Sequence, residues 1–473
     1  MTMNASLITR YIQLSDPAKI AAISALNAAD RPILADLSDD DAWPEFTSIP
    51  NDEQSDDLAS YKSAIIQEYG QEALTKSWLK VCSELEKVTK EIREKGSAVI
   101  PEIPYSDLQS LSQEQKAEYK KVGCFLIRGV VDKDVAEEWF KDLKSYVAEN
   151  KDLVTGWPVE TPAILRMYYS PTQMAARSHP NSLKVARELI GWWHDKEEPE
   201  KSLDPLTYVD AVRIRPPGSP FFGLGPHIDA GSLSRWADPT YRACYAPVWQ
   251  GNPDDLDLYE LSIRKKANPR LFPGSAHCSV FRAFQGWTSL TTTGPGEGSL
   301  LLYPHIKCVM SYVLLRPFFK PPASEQEEDI MDASKWTFDP NTPWFPGTFR
   351  FDSQRLSAAS HPHLRLRECL VHIPPMNPGD TVWWHADMCH AVDTEHKGQS
   401  DSSVLYIAAT PSTEENIQYV DSQLKAFLDG YFPPDFTAED RVHSLEPSYK
   451  GWKGEAGIVS PEGRKAMRLD VKV

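Results

Sequence analysis

The sequence predicts an α+β protein, a β-sandwich or barrel wrapped by helices. Three observations carry that expectation. The front of the chain shows helical periodicity. After about residue 205 that periodicity gives way to short apolar segments between clusters of Pro, Gly, Asn and Asp. From Ser412 the helical pattern returns. The expected organisation is a mainly helical region over 1–110, a β-rich domain over 111–411 with a leading helix–strand–helix, and a helical extension over 412–473.

In "EALTKSWLKVCSELEKVTKEIREKG", apolar residues fall at Leu74, Trp78, Val81, Leu85, Val88 and Ile92. The alternating steps of four and three draw one stripe along a helix. Gly96 suits the helix end, because glycine enters the left-handed region without a Cβ penalty. Ser112 and Gln115 have capping-box spacing. "CFLIRGVV" reads as a short buried strand. "DKDVAEEWFKDLKSYVAEN" reads as a helix capped by Asp132, with Val135, Trp139, Leu143 and Tyr146 on one face. Further on, "YVDAVRIRPPG", "SLLLYPHIKCVMSYVLL", "LRLRECLVHIPPMNPGD", "TVWWHAD" and "SSVLYIAAT" set the β rhythm. The segment 320–361 lacks periodicity and is expected to be a long insertion over one end of the sheet, with His361 and His363 exposed at its end. "ENIQYVDSQLKAFLDGYF" returns to helix.

Composition narrows the function classes. The chain has 473 residues, long enough for a large core, and 50 Lys and Arg against 67 Asp and Glu give a net charge of −17. Phosphate backbones and anionic lipid would repel such a surface, so a small molecule is the expected partner, with no nucleic acid and no membrane. The seven cysteines are scattered and none forms C-x-x-C, which fits a reducing compartment. The opening "MTMNASLITRYIQLSDPAKI" has no apolar core of a signal peptide, and a cytoplasmic location is expected.

Chemistry concentrates in two places. "GLGPHIDAGSLSRW" sets His227 and Asp229 two residues apart after a Pro- and Gly-rich bend. Taken alone, such a pair is more often a polar turn than a metal site. "NPGDTVWWHADMCHAV" offers a second source of imidazole, with a tight Pro-Gly-Asp turn, a strand, and then His385 and His390. Two imidazoles and one carboxylate with open positions suit non-haem Fe(II), whereas Zn(II) would bring no redox chemistry.

Those segments resemble the Fe(II)/2-oxoglutarate-dependent oxygenases. "HID" is similar to their His-x-Asp, and "PGDTVWWHADMCHAV" resembles the turn and strand leading to their distal histidine in the phytanoyl-CoA hydroxylase branch. "YKKVGCFLIRGVVDKDVAEEWFKDL" resembles the opening of that branch. "LGPHIDAGSLSRW" and "FRAFQGWTSLTTTGPGEGSLLLYP" look closest to the YbiU-like family of bacteria and fungi. The resemblance implies a double-stranded β-helix (jelly-roll) core with helical layers. It implies Fe(II) on His227, Asp229 and His390, with His385 as the competitor for the third position, and 2-oxoglutarate as co-substrate of a dioxygenase. The outer ligands lie 163 residues apart, long for such enzymes, and the 320–361 insertion accounts for part of that length.

One departure stands out. The resemblance implies an Arg some ten to fourteen residues after the distal histidine, to hold the far carboxylate of 2-oxoglutarate. That window here reads "SDSSVLYI". In a jelly-roll the first strand lies beside the last, and strand alternation puts Arg213 and Arg215 of "YVDAVRIRPPG" on one face. Either could supply the cation, with Ser403 as hydroxyl partner, and Arg235 and Lys307 are weaker candidates. The bland alternative is a solvated strand face. Tryptophans 192, 193, 236, 249, 287, 383 and 384 are expected mainly in the core, as is Cys389, and Gln285 is read as packing before pocket. The rival functions are a catalytically silent jelly-roll that binds metal and a small acid, and a metal enzyme that does not use 2-oxoglutarate.

Overall fold

A computed structural model describes residues 56–470, apart from 200, 202, 220–222, 230, 273–277, 325, 351 and 438–441. The reading of the first twenty residues lies outside that range. Two β-sheets hold the middle of the chain. The larger has nine strands. Its path runs Glu102–Pro104, Cys124–Arg128, Thr381–His385, Phe284–Ser289, Ser402–Pro411, Val212–Arg215, Ile164–Leu165 and Gly156–Trp157, and Pro205–Leu206 joins the Ser402–Pro411 strand off this path. The smaller sheet has five strands in the order Gln354–Arg355, Leu224–Ile228, His390–Val392, Leu300–Leu302 and Val371–His372. "YVDAVRIRPPG" and "SSVLYIAAT" are thus neighbouring strands, as the sequence suggested. Arg213 pairs with Val404 and Arg215 with Ser402.

Register decides which side chains face inward. Val404 stands opposite Arg213, Tyr406 opposite Trp287, and Gln285 opposite Trp384. Directly paired residues share a face, and so do residues two apart. One face of the large sheet therefore carries Arg213, Tyr406, Trp287, Gln285 and Trp384. It meets the small sheet, because Trp384 packs on His390 with ring centroids 5.1 Å apart and Gln285 hydrogen-bonds Asp229.

The helices cover these sheets. Gln71–Lys95 buries the six residues of the expected stripe, and Gly96 ends it with φ 54°. Trp78 from this stripe stacks on Phe319 at 4.5 Å and donates its indole N–H to the Ala333 carbonyl. Ser112 and Gln115 form both halves of the capping box. Asp132 occupies the N-cap position of Lys133–Glu149, but its side chain makes no cap bond. The tail helix spans Glu414–Asp429. No helix among the described residues is long and apolar enough to cross a membrane.

Two expectations are corrected. "SLLLYPHIKCVMSYVLL" contributes only the strand Leu300–Leu302, and Ile306–Leu315 is a helix with all but Lys307 of its residues buried. A helix buried all round shows no polar face, so its sequence has no period to distinguish it from a buried strand. The segment 320–361 is built into the fold. It holds the helix Glu327–Met331, the strand Thr337–Phe338 paired with Phe319–Lys320, and Gln354–Arg355 on the edge of the small sheet. Consequently His361 and His363 are buried, not exposed. His361 Nδ1 pairs with the Ser360 hydroxyl at 2.7 Å, and His363 Nδ1 with the Tyr312 hydroxyl at 3.1 Å.

Burial, with the charge of Arg316 nearby, lowers both imidazole pKa values, that of His363 to about 3. Both fold as neutral rings, while the unfolded chain takes up protons below its ordinary value of about 6.5. The stability they contribute is complete above that value and is lost as pH falls towards the folded one. Each ring is expected to cost about 1.4 kcal/mol per pH unit over that window. Denaturant melts between pH 7 and pH 4 check this, and His363→Gln should flatten the slope.

Candidate metal centre

The centre follows from strand geometry. Gly223 precedes the Leu224–Ile228 strand with φ 68°, and a Cβ there would lie 2.2 Å from the Val392 carbonyl oxygen. Only glycine lets the two strands run this close. Their register then places His390 directly opposite His227. Cross-strand partners lie on one face, and the i, i+2 spacing brings Asp229 to the same side. One ligand atom from each of His227, Asp229 and His390 lies within 4.8 Å of the others. The sequence placed these three together through a resemblance, and strand pairing is the physical reason they meet.

The second part of the motif is also explained. Gly379 has φ 88°, and a Cβ there would fall 2.0 Å from the Val131 carbonyl oxygen. Asp380 locks the turn by accepting from Asn377 N–H at 2.9 Å, Gly129 N–H at 2.9 Å and Arg128 Nη1 at 2.6 Å. This anchors the strand Thr381–His385, beyond which the chain returns to the small sheet at His390. His385 itself points elsewhere. It stacks on Trp193 at 4.9 Å, its Nε2 meets the Leu258 carbonyl at 3.1 Å, and its Nδ1 accepts from Asp387 N–H.

The donor set fits a divalent metal. His227 Nδ1 lies 2.7 Å from the Gly225 carbonyl, and His390 Nδ1 lies 3.0 Å from the Met388 carbonyl. A carbonyl can only accept, so each Nδ1 carries the hydrogen and each Nε2 keeps a lone pair. Those Nε2 atoms face Asp229 at 3.4 and 3.6 Å. Burial, then the charge of His227, lowers the pKa of His390 to about 4. Burial also works against a charge on His227, but Asp229 outweighs it and raises its pKa. Burial would raise the pKa of Asp229, yet His227, His390 and Arg282 hold it well below the carboxylate range.

Further residues surround the triad, and of these the sequence reading named Arg235 as a weaker cation candidate. Gln285, read as packing, donates to Asp229 Oδ2. Arg282 Nη2 lies 4.0 Å from the same oxygen. Arg235 is fully buried and donates to the Asp229 main-chain carbonyl at 3.2 Å and to Asp387 at 3.4 Å. Both bonds come from Nη2, and the Nε and Nη1 of Arg235 have no partner, while Lys307 is exposed and bonded to the Asp254 carbonyl. Arg355 pairs directly with His227 across the sheet edge. Arg282 and Gln285 reach the site together from the start of the strand Phe284–Ser289, and Arg355 from the edge of the small sheet. A cavity of about 360 Å³ opens beside Asp229, lined among others by Tyr241, Phe281, Arg282 and Gln285.

Arg213 and Arg215 are both buried. Arg213 lies over Trp287 at 4.3 Å and donates one bond, from Nη2 to the Gly298 carbonyl, while its Nε and Nη1 have no partner. Arg215 donates to the Asp393 and Thr394 carbonyls at 2.7 and 3.0 Å. Ser403 is displaced from its expected role. It stands opposite Ile214 and therefore faces the other side of the sheet, and its hydroxyl donates to the Arg213 carbonyl at 2.9 Å. Ser402 shares the face of the two arginines, and its buried hydroxyl has no partner.

Comparison with known proteins shows the family of the chain. The sequence profile described as Gig2-like matches residues 52–469. The chain belongs to the Gig2-like family. Within that family, the uncharacterised protein YbiU of Escherichia coli K12 is 30% identical over 397 residues, 80% of this chain and 88% of YbiU. The crystal structure of the GlcNAc Inducible Gene 2 protein of Candida albicans superposes with a TM-score of 0.77 at 29% identity, covering 88% of this chain and 89% of that one. A protein of Salmonella typhimurium LT2, provisionally named an oxidoreductase, gives 0.72 at 27% identity, over 89% of this chain and 98% of that one. The Gig2-like fold is thus shared along nearly the whole described chain.

Proposed function

We propose that this Gig2-like protein is a non-haem Fe(II)/2-oxoglutarate-dependent dioxygenase acting on a small molecule, built on a double-stranded β-helix of the phytanoyl-CoA hydroxylase type. The observation that carries the reading is the convergence of His227, Asp229 and His390 with both Nε2 lone pairs turned inward. Two imidazoles and a carboxylate are the donor set that would hold a non-haem Fe(II) ion. Iron bound there would supply the redox chemistry that no side chain can.

The protein's own residues position and protect. The backbone carbonyls of Gly225 and Met388 fix the imidazole tautomers. Gln285 orients the Asp229 carboxylate. Trp384 and Trp287 keep the inward face dry. The co-substrate's far carboxylate is assigned to Arg213, whose Nε and Nη1 have no other partner, with Ser402 supplying the hydroxyl and Arg215 bracing the strand end. A guanidinium on the neighbouring strand thereby replaces the Arg missing from "SDSSVLYI", and its planar fork suits a carboxylate. The provisional oxidoreductase naming of the Salmonella relative is in line with this reading.

The test is succinate formation from 2-oxoglutarate by purified protein with Fe(II), ascorbate and O₂. Slow uncoupled turnover is expected. Arg213→Gln should weaken 2-oxoglutarate about ten- to a hundredfold, as loss of a charge-assisted bond does. If Fe(II) binds but no succinate forms, with or without small-molecule candidates, the site holds metal for another purpose.

A further inference from the structure

Among the described residues, the cavity beside the triad has one cation that donates no hydrogen bond, Arg282. The other basic residues on its wall are paired. Arg264 grips Asp387 through two bonds of 2.7 and 2.8 Å. Lys265 reaches Asp195 at 2.5 Å and Glu198 at 2.6 Å, and Lys266 reaches Glu197 at 2.6 Å. Arg270 donates to the Ser279 hydroxyl at 2.5 Å and lies 3.7 Å from Asp435. Arg282 differs. Its side chain is 13% exposed, it lines the cavity, and it donates no hydrogen bond among the described residues. Its nearest carboxylate, Asp229, is 4.0 Å away, beyond hydrogen-bonding distance. Its guanidinium carbon sits 5.5 Å from the Tyr208 ring centroid, which supports it from one side.

We propose that Arg282 anchors the carboxylate or phosphate of a small organic anion, the primary substrate, in the cavity next to the metal centre. The identity of that anion as substrate rests on the functional reading above. The anion site itself rests on the cavity and on Arg282. Its fork presents parallel N–H donors, the arrangement that carboxylate and phosphate oxygens accept. Asp229 does not compete for those donors, since its oxygens face the two Nε2 atoms and Gln285. The volume of about 360 Å³ holds a metabolite-sized molecule, and Tyr241 and Phe281 supply apolar wall for its body. The protein's overall charge of −17 makes this inward-facing cation more selective, because the outer surface does not gather anions on its own.

The test uses full-length protein loaded with Zn(II), which fills the centre without redox turnover. Malonate and inorganic phosphate are titrated by calorimetry, with malonamide as the neutral control. Wild type is expected to bind at least one anion and not malonamide, and whichever anion binds identifies the headgroup. Arg282→Gln should weaken it about ten- to a hundredfold, and Arg282→Lys should weaken it less, with zinc content unchanged in both. Failure of both anions to bind wild type overturns the inference, as does equal affinity in Arg282→Gln. Loss of zinc in Arg282→Gln would reassign Arg282 to holding Asp229. A loss that follows Arg213→Gln instead places the anion in the co-substrate site and overturns the inference while leaving the oxygenase reading standing. Conversely, Arg282-dependent binding in a protein that never forms succinate would keep this site and remove the oxygenase.

Discussion

Asp229→Ala is expected to weaken Fe(II) binding by more than about a hundredfold and to leave no metal-dependent turnover. Loss of an outer partner of a metal ligand alone costs ten- to a hundredfold, and removing the ligand itself must cost more. The two histidines would remain as a cross-strand pair, with ring centroids 4.2 Å apart. A dication there would lose its adjoining carboxylate and face the positive charge of Arg282 close behind. Asp229→Asn separates charge from shape. Its amide fills the same volume, but its nitrogen can accept neither the metal nor the Gln285 N–H. It should therefore resemble the alanine variant in metal affinity while retaining more stability. Anaerobic calorimetry with Fe(II) on both variants measures this. Unaltered affinity in Asp229→Ala would mean that the metal binds elsewhere and that the triad is a polar cluster.

How far the sequence could have led to this centre is settled by particular residues. His227, Asp229 and His390 were legible because local signals surround them: a glycine bend, an i, i+2 spacing, and a Pro-Gly-Asp turn ahead of a strand. The helix Gln71–Lys95 was legible because one face is buried and the other is not. Ile306–Leu315 was hidden because burial on all sides erases the period. His361 and His363 look like surface residues in a polar segment, and only tertiary packing against Trp78 and Tyr312 buries them. Ser403 was misplaced by one residue, and in a strand one residue reverses the face. Arg282 was not found from spacing, because its place on the cavity wall is a property of the assembled structure.

The buried charge cluster behind the triad gives the largest expected effect on stability. Asp387 is fully buried. It accepts two bonds from Arg264, a longer one from Arg235 at 3.4 Å, and the Tyr245 hydroxyl at 3.2 Å. Burial would raise its pKa, but Arg264 and Arg235 hold it well below the usual range. Asp387→Ala strands two guanidinium groups in the interior, and the unfolding free energy is expected to fall by about 3–5 kcal/mol. Removing both partners should be gentler. Asp387→Leu with Arg264→Met replaces the pair by apolar volume, and such swaps are often near neutral. Arg235 would still lack its acidic partner in that double variant, and it also donates to the Asp229 main-chain carbonyl. Stability and metal affinity should therefore come apart. Denaturant melts should show the double variant recovering most of the loss, while calorimetry should show metal binding still about ten- to a hundredfold weaker than wild type. Full recovery of both would mean that the cluster supports the fold alone and that Asp229 is positioned without it.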